Sequence, residues 1–104
     1  MRSLRQLRQD LTVLETAVAV IKAQGYIPYP APFVLDTATI KGKVYYRQRP
    51  RLADGKPGTP EYIAPQRHAE LATALANGRA LHRLTKDSQK LVARIDRLSG
   101  EVDR

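Results

Sequence analysis

The sequence contains no cysteine, and this absence excludes disulfide bonds and cysteine-based zinc or iron–sulfur sites. It also lacks any apolar run of about 18 residues, the length that a membrane span needs. The longest apolar stretch, residues 17–21, is too short for a membrane helix or for the apolar region of a signal peptide. We therefore expect a cytoplasmic protein in a reducing compartment, without a membrane partner.

The motifs that carry catalysis and nucleotide binding are absent as well. His68 and His82 are the two histidines, and on one helix they would lie about 21 Å apart, too far to share a metal ion or a proton. The acidic residues are scattered among turns and basic residues, and the sequence has neither a GxGxxG motif nor a P-loop. We therefore expect no enzyme activity, no bound metal and no cofactor.

What the sequence does contain is positive charge, concentrated in the middle of the chain. The net charge is +8 over 104 residues. Seven basic and three acidic residues give residues 26–67 a net charge of +4, whereas residues 1–25 and 68–104 carry +2 each. A positive field attracts polyanions, so this distribution favours a nucleic-acid partner. The alternative is a surface charge whose role is solubility.

Residues 3–24 carry the clearest helical pattern. Their apolar residues are spaced alternately three and four apart, which is the a/d seam of a coiled coil. Ser3 followed by Gln6 predicts a capping box at the start, and Gly25 is placed to end the helix. The seam consists of Leu4, Leu7, Leu11, Leu14, Val18 and Ile21.

Residues 25–39 are predicted to form a proline-rich connector with a short strand at about 33–37. Pro28, Pro30 and Pro32 each fix φ and lack a backbone donor, so they favour an extended chain. We interpret the connector as a stiff link whose tyrosine and isoleucine side chains pack on the core. The alternative is a ligand for a proline-recognising partner.

Residues 40–64 are predicted to form a basic β-hairpin. Alternation along a strand from Ile40 to Arg49 places four cations, one tyrosine and no acid on one face. Turn pairs at 54–55 and 57–58 lead to a return strand at about 59–64. The candidate nucleic-acid contacts are Lys41, Lys43, Tyr45, Arg47 and Arg49 on the strand, and Arg51 and Lys56 in the loop. The alternative is a solvated face whose lysines protect an edge strand from aggregation.

Residues 65–102 predict a second long helix. Pro65 suits the first helical turn. Asn77-Gly78 often ends a helix, but the apolar period resumes at once, so one helix is favoured over two. Gly78 would then permit a close approach by the sheet or the connector. The second seam consists of Leu84, Ser88, Leu91, Ile95, Leu98 and Val102.

Together these elements predict a single α+β domain over residues 1–104. Because the two seams match in length, the long amphipathic helices are expected to form an antiparallel helical hairpin around a small two- or three-stranded antiparallel sheet. The alternative is that the seams pair between chains in a dimeric bundle. The expected core beside the sheet comprises Val44, Tyr46, Tyr62, Ile63, Leu71 and Leu75.

The order GKVYYRQR, DGKPG, EYI and then a helix, between Lys41 and Glu70, resembles the strand–turn–strand–helix layout of small DNA-binding modules such as the arm-binding domains of tyrosine recombinases. The resemblance covers about a third of the chain, and the two helical seams are not part of it. It concerns the order of elements and assigns no role to any residue.

The function expected from the cationic strand is that of a small basic nucleic-acid-binding accessory protein, with DNA favoured over RNA and the coiled-coil helices serving for oligomerisation or spacing. The alternative is a non-enzymatic protein–protein adaptor or assembly factor that acts through the helices and the Tyr/Pro connector, including a small subunit of a nucleoprotein complex. Its partner would be a second copy of the chain or a larger protein.

Overall fold

A computed structural model describes residues 2–102, and the side chains of residues 2–100. The elements follow in the order α1 (Leu4–Gln24), β1 (Phe33–Ile40), β2 (Lys43–Pro50), β3 (Glu61–Ile63) and α2 (Pro65–Val102). The strands form one antiparallel sheet of order β1-β2-β3. The predicted α+β class with two helices and a small antiparallel sheet is therefore confirmed.

The chain divides into two compact units. A helical unit combines Met1–Gly25 with Ala80–Arg104, and a sheet unit comprises Tyr26–Arg79. Helix α2 contributes residues to both units.

The helical unit is built from α1 and the C-terminal part of α2. The capping box is present, since Gln6 N donates to Ser3 Oγ and Ser3 N donates to Gln6 Oε1. Leu7 is 1% exposed, and Leu81 and Ile95 are also buried. The side chain of Val102 lies outside the described residues. The remaining seam residues of both helices are half-buried: Leu4, Leu11, Leu14, Val18, Ile21, Leu84, Ser88, Leu91 and Leu98.

The two helices pack on each other within this unit. Arg8 Nη2 donates to Ser99 Oγ at 3.5 Å, so the start of α1 lies beside the end of α2. The a/d spacing explains the burial, because it keeps one apolar stripe of each helix turned towards its neighbour.

The main hairpin of the sheet unit joins β1 to β2, and here the structure corrects the predicted strand. The two strands pair along their whole length, from Phe33↔Pro50 to Ile40↔Lys43. Lys41 and Gly42 form the turn, with φ of 50° and 79°. Positive φ at both central residues is typical of a type I′ hairpin turn. The strand expected from residue 40 therefore begins at Lys43, and Lys41 lies in the turn.

The return strand is shorter than predicted. It covers Glu61–Ile63, where residues 59–64 were expected, and it pairs with β2 through Tyr46↔Ile63, Arg47↔Tyr62 and Gln48↔Glu61. Pro60 precedes it and has no N–H to extend the ladder. In the intervening loop Asp54 Oδ1 accepts a hydrogen bond from Lys56 N at 2.9 Å, which fixes the turn.

Helix α2 runs without a break through Gly78, as the period of its apolar residues predicts. The connector lies against it, because Ile27 N donates to Ala74 O at 3.0 Å. A Cβ atom built on Gly78 would overlap the carbonyl oxygen of Ile27. The close approach expected at Gly78 is thus confirmed, and the connector makes it.

The core of the sheet unit differs from the expected one at two positions. Leu71 is buried, and the ring of Tyr46 lies 4.9 Å from that of His68. Val44 and Tyr62, however, are exposed, so their assignment to the core was wrong. Val44 lies beside the hairpin turn, and the pairing of Tyr62 with Arg47 places it on the opposite face of the sheet. The apolar residues that the prediction missed are Ala31, which is buried, and Phe33 and Leu35, which are half-buried.

Candidate nucleic-acid interface

Four of the candidate contact residues share one face of β2. Strand alternation puts Lys43, Tyr45, Arg47 and Arg49 on the same side. We call these four residues the cationic face. Their partners on β1 are Ile40, Ala38, Asp36 and Val34, and the partner of Arg47 on β3 is Tyr62. The face is therefore wider than one strand.

This face is not free of acids, which corrects the sequence-based expectation. Asp36 accepts two hydrogen bonds from Arg47, from Nε at 2.8 Å and from Nη2 at 2.9 Å. Arg49 Nη1 is 3.4 Å from the same carboxylate. The prediction missed Asp36 because alternation along one strand does not state which residue of a neighbouring strand lies opposite Arg47. The Lys41-Gly42 pair between two β-prone runs was the sequence feature that could have indicated a hairpin here.

The ion pair has the expected electrostatic consequences. Hydrogen bonds from Arg47, with further help from Arg49, hold the pKa of Asp36 below its usual value against the opposing effect of desolvation. The Asp36 carboxylate raises the pKa of Arg47 in return. Both arginines are half-buried, so the pair fixes them in place while part of each guanidinium still reaches solvent.

Three lysines supply the unpaired positive charge around this face. Lys41 and Lys43 lie at the hairpin tip, which we define as Ile40–Lys43, and Lys56 lies in the loop after β2. All three are exposed, and none has an acidic partner within 4.0 Å among the residues the structure describes. They are available to an anionic ligand.

Arg49 and Arg51 are engaged with the backbone. Arg49 Nε donates to Gly58 O at 2.8 Å, and Arg51 Nε donates to Ala31 O at 3.1 Å. Arg51 also lines a cleft with Phe33 and Leu35, whose side chains belong to the other face of the sheet. The structure therefore sets Arg51 apart from the remaining candidate contacts.

The aromatic component of the face contains a residue that the sequence reasoning did not assign to it. Tyr45 is half-buried, and Lys43 Nζ lies 5.5 Å from its ring centroid. The Tyr62 ring meets Tyr45 edge to face, with centroids 5.8 Å apart, and Tyr62 is 57% exposed. Tyr62 therefore offers the more accessible surface for stacking. The register of β3, which pairs Tyr62 with Arg47, is what places Tyr62 on the cationic side of the sheet.

Within the described part of the chain, no three His, Asp or Glu side chains cluster closely enough to hold a metal ion. Neither helix, over the residues described, contains a stretch long and apolar enough to cross a membrane.

Comparison with known proteins gives no matching family model, no matching curated protein and no matching solved structure.

Proposed function

We propose that this chain is a small, non-catalytic nucleic-acid-binding protein, with DNA favoured over RNA. The observation that carries the proposal is the cationic face, with two further exposed lysines, Lys41 and Lys56, beside it. Lysine and arginine neutralise phosphates and release counterions, and this release supplies most of the non-specific affinity for nucleic acids.

The two kinds of cation have different roles in this proposal. Arg47 and Arg49 are held by Asp36, so they present a fixed donor geometry but little net charge. The lysines of the hairpin tip carry uncompensated charge and are expected to contribute most of the salt-sensitive affinity. A two-stranded ribbon of this kind fits the major groove of DNA, which is about 12 Å wide. Tyr62 is placed to stack on an unpaired base or to contact a sugar.

The test is a fluorescence-anisotropy titration against labelled duplex DNA, single-stranded DNA and RNA at fixed low salt. A Lys41→Glu/Lys43→Glu variant is expected to bind at least about tenfold more weakly, because two phosphate contacts become repulsive. A Lys86→Glu/Lys90→Glu variant makes the same change in net charge at exposed positions of the helical unit, and it controls for long-range electrostatics. Equal loss of affinity in both variants would refute a specific role for the hairpin tip.

A second candidate function, assembly through the helical unit, is favoured by a groove in that unit. The groove has a volume of about 510 Å³. Its apolar lining residues are Leu11, Val18, Val92 and Ala93, and six polar or charged residues complete the lining. Val92 is 40% exposed. Two helices alone leave part of their apolar surface in water, and a bundle of four would cover it.

The occupant that we propose for the groove is a second copy of the chain, whose helical pair would be antiparallel. Along the groove, Asp96 lies towards the end where Arg8 meets Ser99, and Lys22 lies towards the other end. An antiparallel two-fold pairing would bring Lys22 of one copy to Asp96 of the other, so these two charges would pair across the interface. The resulting dimer would present two cationic faces.

Sedimentation equilibrium tests this pairing. We expect the wild type to dimerise and Val92→Asp to remain monomeric, because the variant replaces one of the groove's apolar contacts with a carboxylate. Val13→Asp is the matched control, since Val13 is 68% exposed and does not line the groove. A wild type that is monomeric at all concentrations would contradict the dimer and leave the nucleic-acid proposal standing.

A further inference from the structure

The sheet unit contains a cleft that the proposed nucleic-acid interface does not use. Its volume is about 360 Å³. Phe33 and Leu35 line it from the strand face opposite the cationic face, and Ile27 and Leu75 line it from the connector and α2. A volume of this size lies at the lower end of the range for small-molecule sites, about 300–1,000 Å³.

Two arginines give this apolar cleft a defined charge. Arg51 and Arg79 are among its lining residues, and none of the described residues that line it is acidic. Neither arginine has a carboxylate partner within 4.0 Å among the side chains of residues 2–100. The hydrogen bond from Arg51 Nε to Ala31 O fixes one guanidinium at the cleft. An uncompensated arginine beside apolar walls favours an anionic group over a neutral one, because charge-assisted hydrogen bonds are the stronger ones.

The wall of the cleft also has an unused hydrogen-bonding group. His68 lines the cleft, and its Nε2 is buried without a hydrogen-bond partner among the described residues. An unpaired buried polar atom costs about 1–3 kcal/mol, so native structures rarely leave one without a reason.

We propose that this cleft binds a small amphipathic carboxylate, with its apolar body among Ile27, Phe33, Leu35 and Leu75 and its carboxylate at Arg51 and Arg79. The proposal does not depend on nucleic-acid binding, because none of the residues that line the cleft belongs to the cationic face. The site is small, which restricts the ligand to a single apolar chain or ring system with one charged end.

The experiment is a titration of the isotope-labelled protein with decanoate, followed through its backbone amide resonances, with decanol as the uncharged control. We expect saturable shifts that cluster around Phe33, Ala72 and Leu75, and at least about tenfold weaker binding of decanol, which corresponds to about 1.4 kcal/mol. Shifts spread over the helical groove, or equal affinity for decanol, would overturn the proposal.

Two variants sharpen this test. Arg79→Gln should weaken decanoate binding about five- to tenfold, because it removes one exposed charge, and Ala72→Trp should abolish binding by filling the cleft from an exposed helix position. Arg83→Gln, on the same helix but away from the cleft, is the matched control and should bind as the wild type does. Unchanged binding in Ala72→Trp, with cooperative unfolding retained, would place the ligand elsewhere and refute the site. All three variants should keep the wild-type affinity for DNA.

Discussion

At the residue scale, Gly78 shows how one missing side chain lets two segments pack. Alanine is a better helix former than glycine by about 1 kcal/mol, so Gly78→Ala would stabilise an isolated helix. In this protein the new Cβ would overlap the carbonyl oxygen of Ile27. We therefore predict that Gly78→Ala lowers the free energy of unfolding by about 1–3 kcal/mol, measured by urea denaturation.

Gly100 provides the matched control for this substitution. It lies in the same helix, and nothing lies within 4 Å of a Cβ atom built on it. Gly100→Ala should leave stability unchanged or raise it by up to about 1 kcal/mol. If both alanine variants were equally stable, the close contact between the connector and α2 would be wrong.

Asp36 gives a pH-dependent prediction at the same scale. Its pKa is lowered in the folded protein, chiefly by hydrogen bonds from Arg47, so its contribution to stability is present above its unfolded pKa of about 4 and is lost as the pH falls through the lower folded value. Asp36→Asn should therefore be less stable than the wild type at pH 7, and the difference should shrink as the pH is lowered towards 2. Urea denaturation across this range measures it.

A variant of Arg47, the ion-pair partner of Asp36, tests whether the ion pair causes this pH dependence of stability. Arg47→Gln removes the same ion pair from the other side, so its stability difference from the wild type should also converge at low pH. A stability difference that stays constant from pH 7 to pH 2 in both variants would show that the pair does not couple to folding.

Residue roles could be predicted where they depend on local geometry. The capping box of Ser3 and Gln6 follows from rules that apply within one segment. Gly78 could be marked as a point of close approach because glycine has no Cβ, but the sequence left open whether the sheet or the connector approaches it. The role of Asp36 could not be predicted, because its partner is on another strand. His68 is half-buried, with its ring 4.9 Å from that of Tyr46, and this contact between a strand and a helix could not be predicted from either segment alone.

At the scale of the elements, the turn between β1 and β2 sets the register of the hairpin. Lys41 has φ of 50°, a region that costs a lysine about 1–2 kcal/mol. Asparagine tolerates this region better and is preferred in type I′ turns. We predict that Lys41→Asn raises the free energy of unfolding by roughly 0.5–1 kcal/mol and that Lys41→Val lowers it. Thermal unfolding compares the two, and the reverse order would contradict the turn assignment.

The seam of α1 makes a second prediction at this scale. Leu7 is 1% exposed, so Leu7→Ala should destabilise the protein by about 2–5 kcal/mol through lost burial and a cavity. Val13→Ala, at an exposed position of the same helix, should change stability by no more than about 0.5 kcal/mol. Denaturant unfolding measures both, and similar effects of the two substitutions would exclude the a/d seam as the packed face.

The sequence predicted the helices more completely than the strands. The ends of α1 and α2 agree with the prediction to within a residue, because caps, prolines and apolar spacing act over a few positions. The sheet was only partly predicted. The more extensively paired hairpin joins β1 to β2, whereas the prediction placed the hairpin between β2 and the return strand. Alternation alone does not state which strands pair.

At the scale of the whole molecule, net positive charge is spread over the chain but its density is greatest in the segment that contains the sheet. Composition predicted this distribution without any structure. What composition could not predict is how the charge is compensated, because Asp36 neutralises part of the arginine charge of the cationic face and leaves the neighbouring lysines as the free cations there. The proposed interface therefore shifts from the centre of β2 towards the hairpin tip.

The central claim is that the cationic face, together with Lys41 and Lys56 beside it, binds phosphates. The salt dependence of DNA affinity tests this claim most directly. With Lys41, Lys43 and Lys56 as phosphate contacts, the logarithm of the association constant for duplex DNA should fall with the logarithm of salt concentration with a slope of about −3. The slope for Lys41→Gln/Lys43→Gln should be smaller in magnitude by about 2. A wild-type affinity that does not change with salt, or a slope that the double substitution leaves unchanged, would contradict the account.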